Sequence, residues 1–125
     1  MRAEAPVHRW PDVGRMVDWR SADALVRTAD SVLKGAVEAP PARELVEERS
    51  RRLRRGLGEW CEVFAGATHP GARALVRAGR RRVSRPEVGG GEENAWLVLR
   101  QVAALVRGFH DLAVRLRGHE GAESP

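Results

Sequence analysis

The sequence predicts an all-α protein, an antiparallel bundle of four main helices with an N-terminal arm. Three observations carry that reading. Between Asn94 and Arg117, the residues Ala95, Val98, Val102, Leu105, Phe109, Leu112 and Leu116 recur at alternating steps of three and four, a continuous heptad-like seam. Three earlier segments carry apolar faces at helical spacing. Proline and glycine stand at the joints, where helices are expected to stop and start.

The last helix, expected over 93–117, organises the rest. Leu99, Val106 and Ala113 widen its seam, and Trp96, Ala103 and Val114 extend it on one flank. The apolar arc then covers about half the circumference at 100° per residue. A helix buried that widely needs neighbours on more than one side, so the other helices are expected to wrap it.

Residues 1–20 have no clean period and read as the arm. Pro11-Asp12 can open a short helix carrying Val13, Met16 and Val17, with Trp10 and Trp19 at its ends. Docking of these tryptophans on the bundle is preferred to a partner-binding arm, because exposed tryptophan is uncommon outside interfaces. Ser21 is the expected N-cap of the first main helix, 21–35, whose face is Ala22, Leu25, Val26, Ala29, Val32, Leu33 and Ala36. Asp23–Arg27 and Asp30–Lys34 are acid-first i, i+4 pairs. Gly35 and Pro40-Pro41 close it.

The second helix is expected over 41–66, with Pro41 at its first position and Leu45, Val46, Leu53, Leu57, Trp60, Val63 and Phe64 facing inward. Glu47–Arg51 and Glu48–Arg52 repeat the acid-first pattern. Gly56, at the edge of the face, implies close approach of another helix backbone. Arg49 falls on the face; a packed stem with a solvated head is preferred to a buried anion receptor. The third helix, 70–84, opens at Pro70 behind Thr68 or His69 and carries Ala72, Leu75, Val76, Gly79 and Val83 on one side. Ser84 to Glu93 reads as a glycine-rich loop without the lysine of a phosphate-binding loop. Gly118 is expected to close the last helix. The organisation is thus 1–20 arm, 21–118 bundle domain and 119–125 disordered tail.

The 125 residues suit one domain with a core that needs no staples. The single cysteine, Cys61, excludes an internal disulfide and a cysteine-based zinc cluster. No apolar run has transmembrane length and no charged-then-apolar leader is read at Met1 to Asp18, so the expectation is a cytoplasmic protein without a membrane partner. The formal charge is +5, with Lys34 the sole lysine among many arginines. Such usage fits a GC-rich genome, which discounts a functional choice of Arg over Lys.

Two groups of residues are candidates for function. Between Glu62 and Glu87 there is no acid, yet Arg73, Arg77, Arg80, Arg81, Arg82 and Arg85 lie there. Arg73, Arg77, Arg80 and Arg81 form a stripe that suits a phosphate backbone or an acidic protein surface; a solvated helix face is the plain alternative. No aromatic residues interleave for base stacking, so any nucleic-acid binding would be led by phosphate. The second group is Trp96, Arg107 and His110, which share one flank of the last helix and suggest a small polar-rimmed pocket. Cys61 lies eight residues before His69, but a packed thiol is preferred to a Cys–His nucleophile. No catalytic residue, cofactor or metal ligand is assigned.

Leu25, Thr28, Val32-Leu33, Pro40-Pro41, Leu45 and Leu53-Arg54, followed by a final helix of small and apolar residues, give the chain a resemblance to a family. It resembles small helical proteins of unknown function from GC-rich filamentous bacteria, labelled natural-product biosynthesis proteins. The resemblance spans about two-thirds of the chain, while Leu53-Arg54-Arg55-Gly56 departs from the family's LRGH signature. It implies an accessory role near a biosynthetic pathway and supplies no catalytic residues. The expected function is therefore a non-enzymatic accessory or protein-interaction module, with a protein partner and room for a homodimer. The alternatives are a nucleic-acid binder using the third helix and a small-molecule binder or enzyme using the second group.

Overall fold

In the computed structural model, residues 8–84 and 91–123 are described; residues 1–7, most of the expected glycine loop (85–90) and the last two residues of the expected tail lie outside them. The elements are α1 (Val13–Met16), α2 (Trp19–Lys34), α3 (Arg43–Val63), α4 (Pro70–Ser84) and α5 (Gly91–Glu123). They form the antiparallel four-helix bundle, with α1 belonging to the arm.

α5 packs against each of the other four helices, most extensively against α2 and α3. Its Trp96, Leu99, Val102, Ala103, Val106, Phe109 and Ala113 are buried. The expected seam is displaced, however. Val98, Leu105, Leu112 and Leu116 are only partly buried, Ala95 is exposed, and the centre of burial shifts toward the Trp96–Ala103 flank. The reason is that α2 and α3 cover that flank, while the shorter α4 lies across the other. Trp60, Phe64 and Phe109 form the aromatic centre, with Trp60 stacked on Phe109 at 6.2 Å and Phe64 tilted against Phe109 at 5.6 Å.

Several boundaries depart from expectation for local reasons. α2 begins at Trp19, and Asp18, not Ser21, is its cap. The Asp18 carboxylate accepts from the Ser21 hydroxyl at 2.8 Å and from the Ser21 N–H at 3.4 Å. α3 begins at Arg43 instead of Pro41, because the proline pair favours extended backbone and Ala42 (φ −53°, ψ 143°) is the last extended residue. It ends at Val63, three residues short of 66, with Phe64 leaving helical geometry at φ −95° and ψ 7°. α5 starts at Gly91 and runs through Gly118 to Glu123. Gly118 does not adopt the left-handed conformation of a C-terminal cap, and a Cβ added there would meet nothing within 4 Å, so it interrupts neither backbone nor packing.

The described part of the arm, from residue 8 on, is docked on the bundle, although Trp10 itself stays exposed. Arg9 and Thr68 exchange two bonds across 59 residues: the Arg9 N–H donates to Thr68 Oγ1 at 2.7 Å, and the Thr68 N–H donates to the Arg9 carbonyl at 3.1 Å. Trp10 stacks on His69 at 4.9 Å, and Val13 is fully buried. His69 in turn caps α4, its Nδ1 accepting from the Gly71 N–H at 3.0 Å.

Gly56 is buried, but what enters the space is the Leu25 side chain rather than a helix backbone. A Cβ built there lies 2.1 Å from Leu25 Cδ2. Gly79 makes the equivalent opening between α4 and α3, where a Cβ would meet Cys61 Sγ at 2.6 Å. Gly58, two residues along, has nothing within 4 Å. Equilibrium urea denaturation should separate these roles. Gly56→Ala should cost about 1–3 kcal/mol, because Leu25 must leave its socket. Gly58→Ala should stabilise the protein by about 0.5–1 kcal/mol through helix propensity.

Candidate functional site

The Trp96, Arg107 and His110 flank of α5 faces α2 along its length. Trp96 is buried and its indole N–H donates to the Ala36 carbonyl at 3.0 Å. Arg107 pairs with Asp30 of α2 and lies 3.9 Å from Asp111. His110 Nε2 is 3.1 Å from Asp23 Oδ1, and its ring meets Trp19 and Trp60 edge-on, leaving 14% of the side chain exposed. Trp96 and His110 are separated by about 21 Å of helix. The three residues are therefore a row of anchors at different levels and do not converge on one pocket.

Arg100 completes that row and was not singled out in the sequence. Its guanidinium donates to the carbonyls of Val32 (3.1 Å) and Gly35, and sits 5.6 Å from the Trp96 ring. α2 ends at Lys34, so Trp96 and Arg100 satisfy carbonyl groups at and just beyond its C-terminus, where a positive charge also suits the helix dipole. The signal was present: Arg100 lies one turn after Trp96 on the same flank. The acids of α2 likewise reach across to α5. Asp30 and Asp23 meet Arg107 and His110, in place of the expected partners Lys34 and Arg27. On α3, Glu47 pairs with the preceding Arg43 at 3.0 Å rather than with Arg51.

Cys61 is buried, and burial pushes its thiol pKa up against the opposing pull of the Arg80 charge. Its Sγ–H points at the Val76 carbonyl, 3.9 Å away, whereas the His69 ring is engaged by Trp10 and the Gly71 N–H. Arg49 is half-buried. Among the described residues, no group of His, Cys, Asp and Glu is arranged to hold a metal ion, and no helix is long and apolar enough to cross a membrane.

The four arginines of α4 have a different environment. Arg73, Arg77, Arg80 and Arg81 are all exposed, and none forms an ion pair or side-chain hydrogen bond among the described residues. The helix buries Ala72, Val76 and Gly79, which turns the arginine side away from the core. With no acid anywhere in α4, the helix cannot neutralise its own charge.

A second feature, absent from the sequence reading, is a groove of about 650 Å³ between the α1–α2 turn and α3. Ala22, Leu25, Trp60 and Val63 give it an apolar floor, and Arg52, Arg55, Glu59 and Glu62 stand around its mouth. No protein-family model, no curated protein and no solved structure matches the chain.

Two measurements test the local physics. Trp96→Phe keeps an aromatic ring but removes the donor to Ala36, and should cost about 1–3 kcal/mol in urea denaturation. Asp18 is held below the ordinary value of 3.8, first by the Ser21 hydroxyl and then by the Ser21 N–H. A lowered carboxylate contributes stability above its unfolded pKa and loses it as pH falls through the folded one. The gap in melting temperature between the wild type and Asp18→Ala should therefore be wider near neutrality than in strong acid.

Proposed function

We propose that this chain is a non-enzymatic interaction module that binds an acidic protein partner through the arginine side of α4. The observation that carries the reading is the contrast in how charge is used. On α2 and α5, Asp23, Asp30, Arg100, Arg107 and His110 are engaged in joining the helices. On α4, Arg73, Arg77, Arg80 and Arg81 stand exposed without partners among the described residues. Unanswered charges on one helix face steer association with a surface of opposite sign. The groups whose chemistry suits catalysis have structural work instead: the Cys61 thiol is packed, His69 caps α4 and His110 joins α5 to α2. The family resemblance adds an accessory place beside natural-product biosynthesis to the same reading.

The second reading is phosphate-led nucleic-acid binding by the same face. It is favoured by the spacing of Arg73, Arg77, Arg80 and Arg81, which repeats at one helical turn and can follow a charged backbone.

Fluorescence anisotropy with a labelled glutamate-rich peptide, duplex DNA and RNA, each titrated at several salt concentrations, tests both. The expected result is peptide binding at low salt that weakens at least about tenfold in the Arg77→Glu/Arg81→Glu variant. Tighter binding of a duplex, with a steep salt slope lost in the same variant, would transfer the assignment to nucleic acid. Binding of all three probes that ignores the substitutions would remove α4 as the interface.

A further inference from the structure

We propose that the outer face of α3 is a homodimer interface, on which a second copy of this chain packs antiparallel about a two-fold axis at the level of Leu57. The proposal uses a different face from α4 and does not depend on the reading above.

Arg52, Arg55, Glu59 and Glu62 line the mouth of one groove and are all exposed. At 100° per residue they share an arc of about 80° on the outside of α3. None makes a side-chain hydrogen bond or an ion pair among the described residues, although Arg55 and Glu59 are spaced i, i+4. Their order is the weaker one for such a pair, because the base precedes the acid.

The positions of the acids are also unfavourable within a single copy. α3 ends at Val63 and has no basic residue in its last turn, so Glu62 and Glu59 sit toward the negative end of the helix dipole. Within one protomer that placement is a cost without a visible return.

Symmetry supplies the return. Arg52 and Glu62 lie five residues on either side of Leu57, and Arg55 and Glu59 lie two on either side. When two copies of α3 run antiparallel with their axis at that level, Arg52 of each faces Glu62 of the other, and Arg55 of each faces Glu59 of the other. The pattern is self-complementary, as an isologous interface requires. A parallel arrangement in register would instead set arginine on arginine and glutamate on glutamate. The charges therefore specify the orientation as well as the partner.

The surroundings fit a second helix. The groove beside these charges has an apolar floor, with Leu25 and Val63 only partly buried. Met16 stands at its rim, 53% exposed. A second α3 crossing the mouth would cover Met16 and Val63. Gly58 adds no side chain to keep the helices apart, and its Cβ direction is open to 4 Å.

Sedimentation velocity on the full chain at about 100 µM and low salt tests this, a concentration suited to an interface whose charges are rim-exposed and individually weak. The expected result is a dimer that dissociates as salt is added. The Arg52→Glu/Arg55→Glu variant and the Glu59→Arg/Glu62→Arg variant should each be monomeric, with unchanged helical circular dichroism, because all four side chains are exposed. Mixing the two variants in equal amounts should restore the dimer, and so should combining all four substitutions in one chain. Arg77→Glu/Arg81→Glu should leave the dimer intact, which separates this interface from the α4 face. A monomeric wild type at that concentration would overturn the proposal. So would charge variants that dimerise like the wild type, or a mixture that stays monomeric.

Discussion

The C-terminal end of α2 is held by two side chains of α5. A helix leaves its last carbonyl groups without partners inside the helix. Here Arg100 reaches Val32 and Gly35, and Trp96 reaches Ala36. A Cβ on Gly35 would lie 2.9 Å from the Trp96 ring, so the chain can turn away from α2 at this point because residue 35 has no side chain. From this clamp the antiparallel seam continues through Asp30–Arg107 and Asp23–His110 to Arg117, whose guanidinium lies 4.6 Å from the Trp19 ring. α5 is thereby fixed against α2, and its other side becomes the floor on which α3 and α4 close.

This arrangement decides which charges are free. Along the α2–α5 seam, Asp23, Asp30, Trp96, Arg100, Arg107 and His110 are occupied in holding the bundle together. α4 contributes mainly small residues to the core, Ala72, Val76 and Gly79, and turns a row of arginines outward. α3 keeps Leu53, Leu57 and Trp60 inside and presents arginine followed by glutamate on its outer face. The fold thus divides its charges into those that join helices and those that face outward, and the functional reading rests on the second class.

The parts legible in the sequence are those controlled by residues close together along the chain. The apolar spacing of α5, the amphipathic face of α2 and the proline at the start of α4 each determine local structure directly. The parts that were not legible depend on which helix faces which. Asp30 has Lys34 one turn away, yet it pairs with Arg107, 77 residues distant. No periodicity in either helix specifies that choice, since it follows from the crossing of α2 and α5. The same limit explains the displaced burial of α5 and the groove beside Gly56, which exists only once the α1–α2 turn meets α3. The cap of α2 was a nearer miss: Asp18 and Ser21 are both capping residue types, and the earlier one is selected because the backbone is extended at Val17 and Asp18 and turns helical only at Trp19.

Native-state hydrogen exchange followed residue by residue tests the central claim, that α5 and its clamp on α2 are what the bundle depends on. Amides of Val102 to Phe109 in α5 and of Ala29 to Val32 in α2 should be among the last to exchange and should share one opening free energy, that of global unfolding. Arg100→Met should lower that common value for both helices together. Exchange of α2 at a low free energy of its own, while α3 and α4 stay protected, would contradict the claim and move the organising contact elsewhere in the bundle.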